Sequence, residues 1–222
     1  LDYYGESGAL NESFSDVFGV CFRQWYFKLT ADKDSWLVGP GIFTAKVKGV
    51  ALRSMLNPGT AYNDPANLGK DPQPDHYSKL YRGSGDNGGV HINSGIPNRA
   101  FHVVATTLGG NAWEAAGQVW FDTITGDISA DCDFETFAAL TVKAATARHG
   151  AGSEVVAAVR AGWVAVGLAD AVAPPDADPS PAGGGQGSPA TPSSPTEPAP
   201  KKPTSGTQVN VRRTGGFAGR TV

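Results

Sequence analysis

The run from Asp86 to Phe101, DNGGVHINSGIPNRAF, constrains the fold of this chain more than any other stretch. Its adjacent glycines, Gly88 and Gly89, predict a tight or positive-φ passage of the backbone. His91 follows five residues after Asp86. A histidine held by a carboxylate at a glycine-rich loop can donate a hydrogen bond or a proton. Such a pair is more often a structural hydrogen bond than a catalytic one, so this run alone leaves both interpretations open.

Helical signals dominate the chain up to about residue 169. Ser94 or Gly95 can cap a helix that carries Pro97 in its first turn, where a missing N–H has no cost. Periodicity and capping residues predict helices over 7–27 and 96–108, from a cap at Asn111, from Asp133 to Gly150 and from Ser153 onward, with short helical pieces around Ala51–Met55 and Asp75–Leu80. The predicted fold class is therefore mainly α, a compact, bundle-like helical domain.

The helix at 7–27 has an apolar face and an acidic face. Its inward positions are predicted to be Leu10, Phe14, Val17, Cys21 and Trp25. Glu12 and Asp16 lie one turn apart, roughly opposite that stripe. Their face is either solvated or meets a domain that is absent from this chain.

Composition excludes several functional classes. The chain has 222 residues, a formal net charge of −3 and 40% hydrophobic residues, which fits one domain plus an extra segment. The near-neutral charge gives no electrostatic case for nucleic acid or an anionic membrane, and no apolar run approaches the roughly 20 residues of a spanning helix. Cys21 and Cys132 do not form a disulfide framework, although pairing between them stays open.

The last part of the chain differs in composition from the rest. Residues 170–206 are rich in Pro, Ala, Ser, Gly and Thr without apolar periodicity, which predicts a disordered linker after a domain at 1–169. Residues 207–222 regain strand-like alternation and a glycine turn. This end is similar to the opening of the small emfourin-type peptidase inhibitors, and a basic disordered terminus is the alternative.

Two separate motifs resemble one family of enzymes. The segment Gly8–Gly19, GALNESFSDVFG, with Tyr3 just upstream, resembles the third-ligand helix of the thermolysin-like zinc metallopeptidases, the neutral protease or bacillolysin type. Asp86–Phe101 resembles their active-site histidine motif, and the two motifs occur in the right order. The resemblance covers about residues 1–169. It implies the family's helical domain and a secreted zinc endopeptidase that hydrolyses protein or peptide substrates on the amino side of bulky hydrophobic residues.

The resemblance also implies the roles of individual residues at the metal. Glu12 would be the third zinc ligand, and Asp16 would be a carboxylate that orients an upstream histidine ligand. In this family two histidine ligands and a base come from a His-Glu-x-x-His helix, and the chain contains no such pattern. Because the chain starts at Leu1 without that helix, it is expected to be the C-terminal half of such an enzyme, inactive alone, with the upstream half as its partner.

The remaining implied roles concern the substrate. Tyr3 and His91 would hydrogen-bond the developing oxyanion, while Asp86 orients His91. Arg53 would hold a substrate carbonyl, and Leu52 would line the apolar pocket. The alternative function is a non-catalytic peptide-binding helical module that kept the groove but lost the metal, and the third is a purely structural helical domain.

Calcium is less well supported by the resemblance. Calcium-rich members carry acidic ligands after the Glu12 helix and around the tryptophan that matches Trp36. The corresponding positions here are Arg23, Ser35, Leu37 and Pro40. We therefore expect the double calcium site of those members to be absent.

Overall fold

Six α-helices form most of the folded part of the chain. The structure, a computed structural model, describes residues 1–173. The helices are α1 Gly5–Phe27, α2 Gly85–Asn93, α3 Gly95–Leu108, α4 Ala115–Thr125, α5 Phe134–His149 and α6 Glu154–Ala165. The predicted mainly α fold class is confirmed.

The long segment between α1 and α2 holds two small antiparallel hairpins. Strand β1, Leu37–Val38, pairs with β2, Arg53–Ser54, and β3, Asn63–Asp64, pairs with β4, Gly69–Lys70. The predicted helical piece around Ala51–Met55 is therefore wrong, because pairing with β1 overrides the local helical preference of this short segment.

A second short prediction in this segment holds in part. Tyr77–Lys79 form a single 3₁₀ turn inside the predicted helical piece at Asp75–Leu80. The ring of His76 accepts a hydrogen bond from the Ser78 N–H at its start.

Capping side chains begin two of the later helices. Asp133 accepts a hydrogen bond from the Thr136 N–H at 2.8 Å, and Ser153 accepts one from the Val156 N–H at 3.3 Å. Both predicted N-caps are confirmed.

Two other predicted caps differ from expectation: Asn111 is not the N-cap of α4, and Ser94 is the N-cap of α3 but makes no capping hydrogen bond. Asn111 lies in a turn that precedes α4, so α4 begins only at Ala115. Ser94 has helical backbone angles at the junction of α2 and α3, and its hydroxyl bonds elsewhere, so no side chain caps α3.

Aromatic side chains from four helices meet in the core. The rings of Trp120 and Trp163 stack with 6.0 Å between centroids, and Phe101 and Phe137 pack edge-on against them. Each such pair adds about 0.5–1.5 kcal/mol beyond the apolar area that it buries. Trp163 donates its Nε1 hydrogen to the Thr141 hydroxyl at 2.8 Å, so its polar atom is also satisfied.

Helix α1 is buried almost as predicted. Leu10, Val17 and Cys21 are fully buried, and Phe14 is half-buried. Trp25 is exposed instead, because the inward position of this last turn is occupied by Gln24, which is fully buried and bonded to Asp34. Cys21 and Cys132 are both free and buried, and burial raises the pKa of Cys21 to about 12.

The packed body continues slightly past the predicted boundary at 169. Asp170–Val172 form a 3₁₀ turn whose Val172 is buried in the core, so the predicted linker starts too early by these residues. The rest of that linker and the segment 207–222 lie outside the described residues. Within residues 1–173, no helix has the length and apolar content needed to cross a membrane.

Candidate active site

Four of the predicted site residues meet where the first half of α1 faces α2. Tyr3 donates a short hydrogen bond to Glu12 Oε1, and its hydroxyl lies 3.2 Å from His91 Nε2. His91 Nε2 lies 3.6 Å from Glu12 Oε2. Asp86 Oδ1 lies 2.6 Å from His91 Nδ1 on the opposite side of the ring. The chain therefore brings together residues that are up to 88 positions apart.

Asp86 determines how His91 is presented. A carboxylate only accepts, so its contact with Nδ1 keeps a proton on that nitrogen and leaves Nε2 facing Tyr3 and Glu12. The other oxygen of Asp86 accepts the backbone N–H of His91 at 2.8 Å and of Ile92 at 3.2 Å. Burial opposes ionisation of Asp86, but these hydrogen bonds outweigh it and hold the pKa of Asp86 below its usual value.

The backbone before His91 makes one left-handed turn. Gly88 and Gly89 have φ of +78° and +87°, which confirms the predicted positive-φ passage. Asp86 and Asn87 share this conformation with φ of +54° and +50°, which the glycines alone do not predict. Asp and Asn are the non-glycine residues that tolerate it best.

A side chain could not fit at the centre of this turn. A Cβ atom added to Gly88 would lie 3.0 Å from the backbone nitrogen of Gly5 at the start of α1. The left-handed turn thus rests directly on the helix that carries Glu12, which explains how His91 and Glu12 are held at a short distance.

The side chains of this cluster are partly accessible to solvent. The side chain of His91 is 53% exposed, and that of Glu12 is 23% exposed. The hydrogen bond to Glu12 is the main cause of a raised pKa at Tyr3, followed by desolvation and by the charges of Glu12 and Asp86. Tyr3 therefore keeps its proton and can donate it in a hydrogen bond.

Asp16 on α1 and Arg53 on β2 form a second cluster. Asp16 is only 4% exposed, so it does not lie on a solvated face of α1. It accepts hydrogen bonds from Arg53 Nη2 at 2.6 Å and Nε at 2.7 Å, and from the Asn98 amide at 2.8 Å. Burial of the Arg53 guanidinium opposes its charge, but the contacts with Asp16 outweigh burial and raise the pKa of Arg53.

Leu52 is the one predicted site residue without a contact to these clusters among the described residues. It is exposed beside β2, and its backbone N–H donates to the Val38 carbonyl at 3.0 Å. Gly39 lies against its side chain, since a Cβ atom there would be 3.5 Å from Leu52 Cβ. Leu52 thus presents an apolar side chain next to Arg53 in sequence.

Residues 1–173 do not contain a complete metal site. No group of three or more His, Cys, Asp or Glu side chains within them could hold a metal ion. Glu12 offers one accessible carboxylate whose Oε2 makes no hydrogen bond within this range. The chemistry of that oxygen fits a zinc ligand, but the other protein ligands would have to come from elsewhere.

A buried salt bridge links the end of α1 to the loop that follows it. Arg23 donates to Asp34 Oδ1 at 2.5 Å, and the Gln24 amide donates to Asp34 Oδ2 at 2.8 Å. The Asp34 side chain is fully buried. A guanidinium therefore already neutralises this carboxylate, and the absence of the double calcium site stays a prediction.

Sequence reasoning missed two buried amides next to the site. Asn98 accepts a hydrogen bond from the Ser13 hydroxyl at 2.8 Å while its amide binds Asp16. Gln73 donates to the His91 carbonyl at 2.8 Å. Asn98 lies inside the Asp86–Phe101 run and could have been considered, whereas Gln73 stands between two prolines in a loop and gives no signal.

Comparison with known proteins identifies the family of this chain. Residues 1–168 match the family described as "Thermolysin metallopeptidase, alpha-helical domain". Protease PrtS of Photorhabdus sp. (strain Az29) is 50% identical over 174 residues, which cover 76% of this chain and 45% of that protein. The extracellular metalloprotease of Pectobacterium carotovorum subsp. carotovorum is 45% identical over 169 residues, 76% of this chain and 48% of that protein.

A solved structure supports the same assignment. The precursor of protealysin, a metalloproteinase from Serratia proteamaculans, has a TM-score of 0.73 and 51% identity, and the match covers 76% of this chain and 52% of that one. The chain spans about half the length of the relatives that it matches. Because the family match extends over residues 1–168 of 222, the chain belongs to the thermolysin metallopeptidase family and contains its α-helical domain.

Proposed function

We propose that this chain is the C-terminal half of a secreted zinc metalloendopeptidase that cleaves peptide bonds on the amino side of bulky hydrophobic residues. The observation that carries the proposal is the contact between Glu12, Tyr3 and His91, with Asp86 behind the imidazole. In this cluster a candidate metal ligand lies next to two hydrogen-bond donors. That combination is what hydrolysis of a peptide bond requires.

Glu12 would hold zinc together with ligands from the other half, and bound zinc would supply an activated water and a polarised carbonyl. With a proton on each ring nitrogen, His91 would donate a hydrogen bond from Nε2 to the substrate carbonyl oxygen as negative charge develops on it, and the Tyr3 hydroxyl would donate a second one. Asp86 would keep the Nδ1 proton in place and so hold the ring in its orientation. The hydrogen bonds from His91 and Tyr3 would therefore stabilise mainly the transition state.

Arg53 would bind a substrate backbone carbonyl. Two of its nitrogens are occupied by Asp16, while its Nη1 makes no hydrogen bond within residues 1–173. Asp16 would accept one further hydrogen bond from a histidine ligand, since its Oδ1 receives only one bond from the described residues. Leu52 would contribute to the apolar pocket beside Arg53.

The outer face of α1 supports a partner helix in the missing half. Glu12, Ser15, Gly19, Phe22 and Tyr26 follow each other at spacings of three and four residues, and all except Glu12 are exposed. Side chains with this spacing line one face of a helix, and small residues within the stripe allow close approach. We infer that the zinc-binding half packs along this stripe.

A chimera tests the proposal. The corresponding half of protealysin from Serratia proteamaculans would be replaced by residues 1–173 of this chain, and casein hydrolysis and zinc content would be measured. We expect one zinc per molecule and hydrolysis that is lost when zinc is removed by a chelator. A folded, zinc-loaded chimera that binds peptides without cleaving them would favour the non-catalytic binding module instead.

A further inference from the structure

The buried side-chain amide of Gln73 contacts the backbone carbonyl of His91. It lies in the loop that precedes the 3₁₀ turn and is 6% exposed. Its Nε2 donates to the His91 carbonyl at 2.8 Å and to the Ser94 hydroxyl at 2.9 Å. The Ser94 hydroxyl in turn donates to the same carbonyl at 3.1 Å, so the three groups form a closed triangle.

The hydrogen bonds determine the orientation of this amide. A carbonyl oxygen only accepts, so the nitrogen of Gln73 must face His91. The oxygen Oε1 then points away, and it is buried without a partner among the described residues. A buried, unsatisfied polar atom is costly, so the amide is retained for the contact that its nitrogen makes.

The loop that carries Gln73 is itself held rigidly. Asp71, which is buried, accepts the Gln73 N–H at 3.1 Å and the N–H groups of Gly59 and Ala61 at 3.1 and 3.0 Å. Gly95 allows this loop to press on the helix junction, since a Cβ atom there would lie 2.7 Å from the Pro74 carbonyl oxygen. Gln73 therefore links this anchored loop to the α2–α3 junction through its hydrogen bonds to His91 and Ser94.

The hydrogen bonds that restrain His91 lie on both sides of the residue. The side chain is half-exposed, and the helical residues that carry it follow directly after the left-handed turn. Asp86 restrains the ring and the His91 N–H, whereas Gln73 and Ser94 restrain the carbonyl on the other side of the residue. We propose that Gln73 is a positioning residue that sets the distance between His91 Nε2 and the Tyr3 hydroxyl. The catalytic meaning of that distance rests on the function proposed for His91, but the structural effect does not.

NMR of the full 222-residue chain tests the structural effect without any activity. In Gln73→Leu, which has similar bulk and no donor, we expect the His91 imidazole signals to shift and the NOE between the His91 and Tyr3 rings to weaken, at one fixed pH. Gln73→Asn should act in the same direction, because its amide is one methylene too short to reach the carbonyl. Unchanged His91 signals and NOE in a folded variant would overturn the proposal, and so would failure of both variants to fold.

Gln24 offers a matched control. It is also buried, its Nε2 donates to a single side chain, Asp34, and its Oε1 also lacks a partner among the described residues. Gln24→Leu should cost stability but leave the His91 and Tyr3 signals unchanged. An equal shift in this control would show general loosening and contradict a specific role for Gln73.

Kinetics of the chimera then separates this inference from the proposed function. Gln73→Leu should lower kcat by roughly 10- to 100-fold, the scale expected for a misplaced reacting group, with KM and zinc content unchanged. An inactive parent chimera would contradict the proposed function while the NMR result still stands. An active parent with unchanged kcat in Gln73→Leu would contradict the positioning role.

Discussion

Arg53 binds both oxygens of Asp16 through two nitrogens, at 2.6 and 2.7 Å, across 37 residues of sequence. The pair joins β2 to α1, and Asn98 attaches α3 to the same carboxylate at 2.8 Å. One buried carboxylate therefore connects three elements that surround the candidate site. Asp16 is predicted to orient a metal ligand and Arg53 to bind a substrate carbonyl, so this ion pair would join the two predicted roles.

Removing the guanidinium should destabilise the fold strongly. In Arg53→Met the buried Asp16 loses its counter-charge, and breaking such a pair from one side typically costs about 3 kcal/mol or more. Urea denaturation followed by circular dichroism would measure the loss as a lower midpoint with an unchanged slope.

Arg148 provides the control for that experiment. It makes the same two-nitrogen contact with Asp122, at 2.6 and 2.8 Å, but on the surface. Exposed ion pairs contribute little, so Arg148→Met should move the midpoint far less. Equal effects in the two variants would show that burial of Asp16 does not matter.

His102 should make the fold sensitive to acid. Burial is the main cause, followed by the charge of Arg99, and together they lower the pKa of His102 to about 4 despite the opposing charge of Asp34. Because this value lies below the unfolded value of about 6.5, the unfolded chain takes up a proton first as the pH falls. The free energy of unfolding is therefore unaffected by protonation of His102 above pH 6.5 and falls progressively towards pH 4, by about 3 kcal/mol in total.

The measurement compares His102→Gln with the parent chain between neutral pH and pH 4. The variant should lose less stability than the parent over this range, since it has no group to protonate at that position. The same pH dependence in both proteins would show that other groups account for the acid sensitivity.

The two motifs on α1 and around His91 predicted most of the candidate site, because Tyr3, Glu12, Asp86 and His91 do come together. The environment of Asp16 was not predictable from helical periodicity. Periodicity places Asp16 opposite the apolar stripe, but β2 and α3 cover that side with Arg53 and Asn98. Polar contacts between Asp16 and distant elements leave no pattern in the apolar periodicity of α1, so only the structure shows that Asp16 is buried.

In the fold as well, features that depend on local sequence were predictable and those that depend on distant contacts were not. Asp133 and Ser153 were predicted as caps because capping depends on a local sequence. Strand β2 was mistaken for a helix because pairing with Leu37–Val38 is a long-range contact. Trp25 was predicted to be inside because apolar periodicity does not reveal that the polar Gln24 takes the buried position of that turn.

Gly19 should distinguish the chain alone from the assembled enzyme. It lies in the middle of α1, and a Cβ atom there would contact nothing within 4 Å. Glycine disfavours a helix interior, so Gly19→Gln should stabilise the isolated chain by roughly 0.5–1 kcal/mol. If another helix packs on the stripe with Gly19, the same change should reduce folding and activity of the chimera. An active, stable Gly19→Gln chimera would contradict that packing.

The chain alone should not bind zinc tightly. Glu12 is a single carboxylate, no three-ligand group exists within residues 1–173, and the sequence beyond them contains no His or Cys. Structural and catalytic zinc sites need at least three protein ligands. Calorimetric titration with zinc should therefore show no tight 1:1 binding to the chain, in contrast to the chimera. Tight 1:1 binding by the chain would mean that a zinc site exists without the upstream half.

Three variants of the chimera should separate the roles of the central cluster. In His91→Ala, a donor used mainly in the transition state is lost, so kcat and kcat/KM should fall together by roughly 10²–10³ while zinc stays at one per molecule. Glu12→Gln should lose zinc as well as activity, because a neutral amide is a poor ligand. Asp86→Asn should fall between these two in activity and keep its zinc, since His91 remains but loses its carboxylate partner at 2.6 Å. Zinc content by atomic absorption and kcat on the same samples decide the assignment. If His91→Ala loses zinc while Glu12→Gln keeps it, then His91 is the ligand and Glu12 is not.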